Sequence, residues 1–134
     1  LTEYGVREKI ILLGMRNDVP SIMSALDLHV LSSIAEGFPN VVAEAMACGV
    51  PNVVTNVGDA ALIVGEDGWV APASDPERLA EKIIQALDYI EEAGKSTLAR
   101  QVRERVMNAF SLEKMVAGYR QTWMDMLSEN GKTK

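Results

Sequence analysis

Along the chain, short unbroken apolar runs alternate with longer stretches in which apolar residues recur every three or four positions. The run KIILLG, Lys9 to Gly14, is β-branched and uninterrupted, and it predicts a strand buried on both faces. In the following MRNDVPSIMSAL, a polar turn leads into Pro20 at a helix start, with Ile22, Met23 and Leu26 as the apolar pattern. DLHVLSS repeats the strand signature. Pro39 to Cys48 then reads as a helix with Val41, Val42, Ala45 and Met46 on its apolar side, stopped by Gly49 with Pro51 just beyond. A further strand is predicted at NVVTN and a shorter one at GWVAP. This alternation is the signature of a doubly wound parallel α/β sheet whose strands are joined by right-handed crossovers.

Strand signals stop after Ala73. Ser74 or Asp75 is placed to cap a helix with Pro76 and Glu77 in its first turn and Leu79, Ile83, Leu87 and Ile90 as its buried stripe. Gly94 interrupts the pattern. A second helix carries Leu98, Val102 and Val106, and a third starts at Ser111 with Leu112, Met115, Tyr119, Trp123 and Met126 on one side. Lys132 to Lys134 read as a frayed tail. The expected architecture is therefore a Rossmann-like α/β sheet with additional C-terminal helices.

At 134 residues the chain has the length of one ordinary domain, and its start at Leu1 suggests a piece of something larger. Apolar residues make up 48% and charged residues 24%, a soluble globular balance. No apolar run approaches the roughly 18 to 20 residues that cross a bilayer, and no secretory pattern stands at the N-terminus. With Cys48 as the single cysteine, an internal disulfide and a cysteine-based zinc site are excluded, and a cytoplasmic location is the expectation. The net charge of -6 opposes polyanions, and the densest basic run, Arg100, Arg103 and Arg105, is interrupted by acids, so no nucleic-acid partner is expected.

Two acids stand out in AEGFPNVVAEAMACGVP. Glu36 precedes the Gly-Phe-Pro-Asn turn, and Glu44 follows on the helix. Paired hydrolytic carboxylates, a metal site, incidental surface acids and a ligand cradle are the readings to weigh. Hydrolysis needs both groups across one scissile bond, which a loop acid and a second-turn acid do not obviously provide. A metal is disfavoured because the lone histidine, His29, lies in a predicted strand as a core or edge residue, and Cys48 reads as a small core hydrophobe. The plain reading leaves Glu36 a solvated loop acid and Glu44 a surface residue.

The cradle follows from position. Ligands of open α/β sheets bind beyond the carboxyl ends of strands, where the Glu36 to Asn40 loop is expected to sit. A helix start offers free N–H groups to phosphate. Pro39 has none, which leaves Asn40, Val41 and Val42 as donors. Glu44 lies four residues past Asn40, about 6 Å along the axis, in reach of a group one unit further along a ligand, such as a ribose diol.

Several ordered pieces resemble the retaining two-domain GT-B glycosyltransferases called glycosyl transferases group 1, or family 4: ILLGMRNDVP, SALDLHVLSS, EGFPNVVAEAMACGVPNVVTNVG and DGWVAPASDPERLAEKI. Glu36 and Glu44 match the E-x7-E motif of that family. The resemblance implies a C-terminal donor-binding domain that holds a nucleotide-diphosphate sugar. It assigns the ribose hydroxyls to Glu44, and the diphosphate to the segment after Phe38, where Pro39 lines the turn and Asn40 and Val41 supply the amides. Glu36, as the catalytic candidate, lies with Gly37 and Phe38 near the transferred sugar. The Gly14 to Asp18 loop, with Met15 and Arg16, lies near the base.

The absence of an Asp-x-Asp triplet fits an enzyme that needs no metal or other cofactor. The implied layout is a partial donor domain over 1–110 and, over 111–134, a helix that crosses back to an N-terminal domain. That domain would bring the acceptor, a glycan or lipid-linked sugar, and peripheral contact with the inner face of the membrane. Two features depart from the family. Its Arg and Lys pair would lie before Leu1, and Asn52 and Asn56 stand where Val and Asp are common. Rival readings are a sugar-nucleotide epimerase of the same architecture and a non-catalytic binding module. An unpartnered face around Trp123, Met124 and Met126 leads to an expectation of self-association.

Overall fold

A strand can be buried at every position only if both faces of its sheet are covered, and NVVT meets that condition. In a computed structural model that describes residues 4–130, this segment is the central strand of a three-stranded parallel sheet, and all four of its residues are buried. The strands are β1 (His29–Leu31), β2 (Asn52–Thr55) and β3 (Trp69–Ala71), in the order β1-β2-β3. Register runs His29 to Asn52 and Leu31 to Val54 across the first pair, and Val53 to Trp69 and Thr55 to Ala71 across the second. The helices are α1 (Val19–Ala25), α2 (Asn40–Ala47), α3 (Ala60–Val64), α4 (Pro76–Ala93), α5 (Lys95–Phe110) and α6 (Leu112–Asn130). The expected α/β sheet with C-terminal helices is present. The tail expected at Lys132 to Lys134 lies outside the described residues.

The main core joins sheet to helices. Val42 and Met46 of α2, Val54 of β2, Ile63 and Val64 of α3, and Leu98, Val102 and Val106 of α5 are all buried in one cluster. A smaller cluster of Met23, Ala45 and Val50 fixes α1 against α2. Burying one such side chain contributes about 1.5 to 3 kcal/mol, so the α2 face decides where the helix sits.

Both ends of the central segments are closed as the sequence led one to expect. Gly49 adopts φ +80°, and the Gly49 and Val50 amides donate to Met46 and Ala45 at 2.9 Å each, a Schellman closure of α2. At the start of α4, the Asp75 side chain accepts from the Arg78 amide at 3.0 Å, so Asp75 rather than Ser74 is the cap. Ser111 Oγ accepts from the Lys114 amide at 3.4 Å at the start of α6.

Two expectations are corrected. KIILLG forms no strand. Ile11 is 81% and Leu12 84% exposed, because backbone groups become a strand only when a neighbouring chain meets them, and among the described residues β1 pairs with β2 alone. In α4 the stripe is Leu79, Ile83, Ala86 and Ile90. Leu87 lies one position, about 100° of helix rotation, off that line and is exposed, while Ala86 is fully buried. The short helix α3 was not expected from the sequence.

Two arginines of the basic run in α5 close the ends of other helices. Arg103 donates to the Ala47 carbonyl at 2.8 Å, and Arg105 to the Ile63 and Leu62 carbonyls at 2.9 and 2.8 Å. These are the orphan carbonyls at the ends of α2 and near the end of α3, where cations are also favoured by the helix dipole.

Candidate site at the start of helix α2

The chain leaves the carboxyl end of β1 at Leu31 and enters α2 at Asn40, so the loop between them lies at the sheet edge where ligands of this architecture bind. Pro39 occupies the N-cap position with no side-chain cap. The Val42 amide is taken by the Pro39 carbonyl at 3.0 Å. Asn40 and Val41 have no acceptor for their amides among the described residues, so of the three expected donors these two remain. An open helix start of this kind presents N–H groups and partial positive charge to an anion.

Neighbouring elements hold the loop. Ser33 Oγ donates to Glu36 Oε1 at 2.7 Å, and the Ser33 carbonyl in turn accepts from Thr55 Oγ1 at 2.6 Å, with Thr55 itself buried at the end of β2. The Asp59 amide donates to the Gly37 carbonyl at 2.8 Å. Beside it, Gly58 has φ +48°, and a Cβ there would collide with the Gly37 and Glu36 carbonyl oxygens. The Phe38 and Phe110 rings are tilted at 60° with centroids 5.6 Å apart, which ties the loop to the end of α5.

Glu44 is exposed one turn after Asn40 on the same helix face. It lines a cavity of about 460 Å³ with Val19, Pro20 and Met23 of α1 and with Cys48. Phe38, Asn40 and Glu44 share a second, smaller cavity of about 230 Å³ on the α5 side. The structure therefore joins Phe38, Asn40 and Glu44 directly. Glu36 and Gly37 stand on the preceding turn, and Pro39 is buried beneath it.

Gly14, with φ +65°, and Met15, 98% exposed, lie in the unpaired segment before α1. The Arg16 guanidinium is engaged at both ends by Asp18, at 2.8 and 2.7 Å, and this hydrogen bonding holds the Asp18 carboxyl below its usual range. The residues that meet the Glu44 cavity from this side are Val19 and Pro20, just after the predicted loop.

Several residues near the site were not read from the sequence. Lys114 and Tyr119 of α6 line a cavity of about 530 Å³ together with Phe38, Asn40 and Phe110, which brings a cation to the side of the helix start. Their separation in sequence from the E-x7-E segment gave no signal. Ser33 did have one, as a hydroxyl three residues before an acid in a loop. Among the described residues, no three His, Cys, Asp or Glu side chains converge, and no helix is long and apolar enough to cross a membrane.

Comparison with known proteins adds to this geometry. Over 131 residues the chain is 32% identical to N-acetyl-alpha-D-glucosaminyl L-malate synthase of Bacillus anthracis, covering 95% of this chain and 34% of that protein. It is 29% identical over 128 residues to UDP-Gal:alpha-D-GlcNAc-diphosphoundecaprenol alpha-1,3-galactosyltransferase of Escherichia coli, covering 94% of this chain and 32% of the relative. The solved structure of Anabaena HepE in complex with UDP superposes with a TM-score of 0.74 at 29% identity, over 96% of this chain and 34% of that one. The chain thus spans about a third of the length of the proteins it matches. Residues 1–89 match the family described as Glycosyl transferases group 1, and the chain belongs to that family.

Proposed function

We propose that this chain is the donor-binding part of a glycosyltransferase that moves a sugar from a nucleoside diphosphate sugar to an acceptor with retention at the anomeric carbon. The observation that carries the reading is the open start of α2, with two unengaged amides at Asn40 and Val41, a loop acid before it and Glu44 one turn beyond. A diphosphate on the helix start places a ribose diol toward Glu44, whose carboxylate accepts from both hydroxyls. On the other side of the diphosphate, the transferred sugar lies against Glu36, Gly37 and Phe38, where Glu36 orients it or stabilises positive charge as the bond to the diphosphate breaks. The base extends toward the Gly14, Met15 and Arg16 segment.

The family assignment and the UDP complex of Anabaena HepE support this reading. In the Escherichia coli relative the acceptor is a diphosphoundecaprenol-linked sugar, and a glycan or lipid-linked acceptor is proposed here, held by the part of the protein beyond this domain. Location on the cytoplasmic side, with peripheral membrane contact, accompanies such an acceptor. No divalent ion is required in this proposal. Helix-start amides and fixed cations such as Lys114 offset the leaving diphosphate instead, so chelation is expected to leave turnover unchanged.

The test is a thermal-shift panel of UDP-, GDP- and ADP-sugars with the intact protein. One ligand is expected to raise the melting temperature selectively, since binding to the native state alone stabilises it by mass action. A flat response across the panel would reject the reading.

A further inference from the structure

We infer that Ser33 is a positioning residue for the donor sugar, acting through the Glu36 carboxylate. The inference rests on the proposed placement of the sugar against Glu36. Glu36 is exposed on a loop, where a free carboxylate samples several rotamers. The 2.7 Å hydrogen bond from Ser33 Oγ selects one of them by engaging Oε1, and leaves Oε2 for a sugar hydroxyl. Such a bond is directional only if its donor is itself fixed. Ser33 is fixed through its backbone, because the Thr55 hydroxyl donates to the Ser33 carbonyl at 2.6 Å and lies 3.4 Å from that of Leu31, and the Thr55 residue is 3% exposed in the core.

The acceptor end is restrained too. Asp59 donates to the Gly37 carbonyl at 2.8 Å, and Gly58 lies so close to the Glu36 and Gly37 carbonyls that no Cβ fits between. The line from the β2 core through Thr55 and Ser33 to Glu36 is therefore continuous. It places the carboxylate before any ligand arrives, and that preorganisation favours contacts made to the sugar over contacts made to the nucleotide.

The test separates those contacts. Binding of UDP-glucose, UDP-galactose, UDP-N-acetylglucosamine, GDP-mannose and ADP-glucose to the intact protein is measured calorimetrically, alongside the free nucleoside diphosphates. A wild type that binds none of them overturns the reading of the site itself. With the donor that the wild type selects, Ser33→Ala is expected to weaken binding of the nucleotide sugar about fivefold to tenfold, while the free diphosphate changes by less than about twofold. Ser33→Thr, which keeps the hydroxyl, restores the sugar contribution. In a Glu36→Ala background, Ser33→Ala is expected to cost nothing more, because its effect runs through that carboxylate. Equal losses for both ligands, unchanged sugar binding in Ser33→Ala, or a further loss in the Glu36→Ala background would each overturn the inference.

Discussion

His29 and Asn52 are register partners on adjacent parallel strands, and His29 Nδ1 lies 2.6 Å from Asn52 Oδ1. Asn52 is 2% exposed, and its Nδ2 donates to the Val50 carbonyl at 3.0 Å, which turns its oxygen toward the imidazole and makes Nδ1 the protonated nitrogen. These two bonds satisfy a polar side chain buried in the central strand. Burial holds His29 below its ordinary value of 6.5, and the Asn52 bond opposes that shift. The neutral imidazole is therefore favoured by folding. Its contribution is complete above the unfolded value and is lost as pH falls toward the depressed folded value, because the unfolded chain takes up the proton first. Denaturant midpoints are expected to decline as pH falls through the ordinary value of 6.5, and His29→Gln is expected to flatten that slope.

Replacing Glu44 by Ala is expected to weaken nucleotide affinity by about 1 to 3 kcal/mol through lost charged hydrogen bonds. Titration calorimetry with the free diphosphate reads this directly. Melting temperature should hardly move, since Glu44 is exposed and none of its side-chain atoms is engaged among the described residues.

Glu36→Ala acts elsewhere on the ligand. Turnover with the full donor and acceptor is expected to fall at least tenfold, and free diphosphate affinity to stay within about twofold. A variant with normal turnover removes Glu36 from the mechanism.

Gly58→Ala tests the packing of two loops. With φ +48° and two carbonyl oxygens in the way, the added methyl must displace the Glu36 turn or the Asp59 loop. Stability is expected to fall by about 2 kcal/mol or more, measured by denaturation. An alanine at Gly37, which has open space around its missing side chain, is expected to cost less.

The last helix carries its own expectation. Trp123 is 64% exposed, and Leu112, Met115, Val116, Met126 and Leu127 are exposed along the same helix. The isolated 134-residue chain is expected to self-associate at high concentration, and Trp123→Glu to shift sedimentation toward the monomer.

Local chemistry accounts for what was legible in the sequence. Pro39 and Gly49 bracket α2, Asp75 marks the start of α4, and the spacing of Leu98, Val102 and Val106 marks the buried face of α5, because each signal acts within a turn of its own position. KIILLG misled because strand propensity cannot report whether a partner strand is at hand. The roles of Arg103 and Arg105 were hidden for a related reason, since the carbonyls they meet lie 56 and 42 or 43 residues away. At the site, the E-x7-E spacing pointed to the acids, whereas the supports from Thr55, Asp59 and Phe110 exist only once the sheet has formed.

The contact between Gly58 and the Glu36–Gly37 backbone also bears on how this site can be exchanged among relatives. Two loops that share one close approach form a single cassette. A chimera that receives residues 32–40 from another family member but keeps its own 56–59 inherits a mismatch wherever the two loops differ in shape, and transferring both segments together is the graft expected to fold.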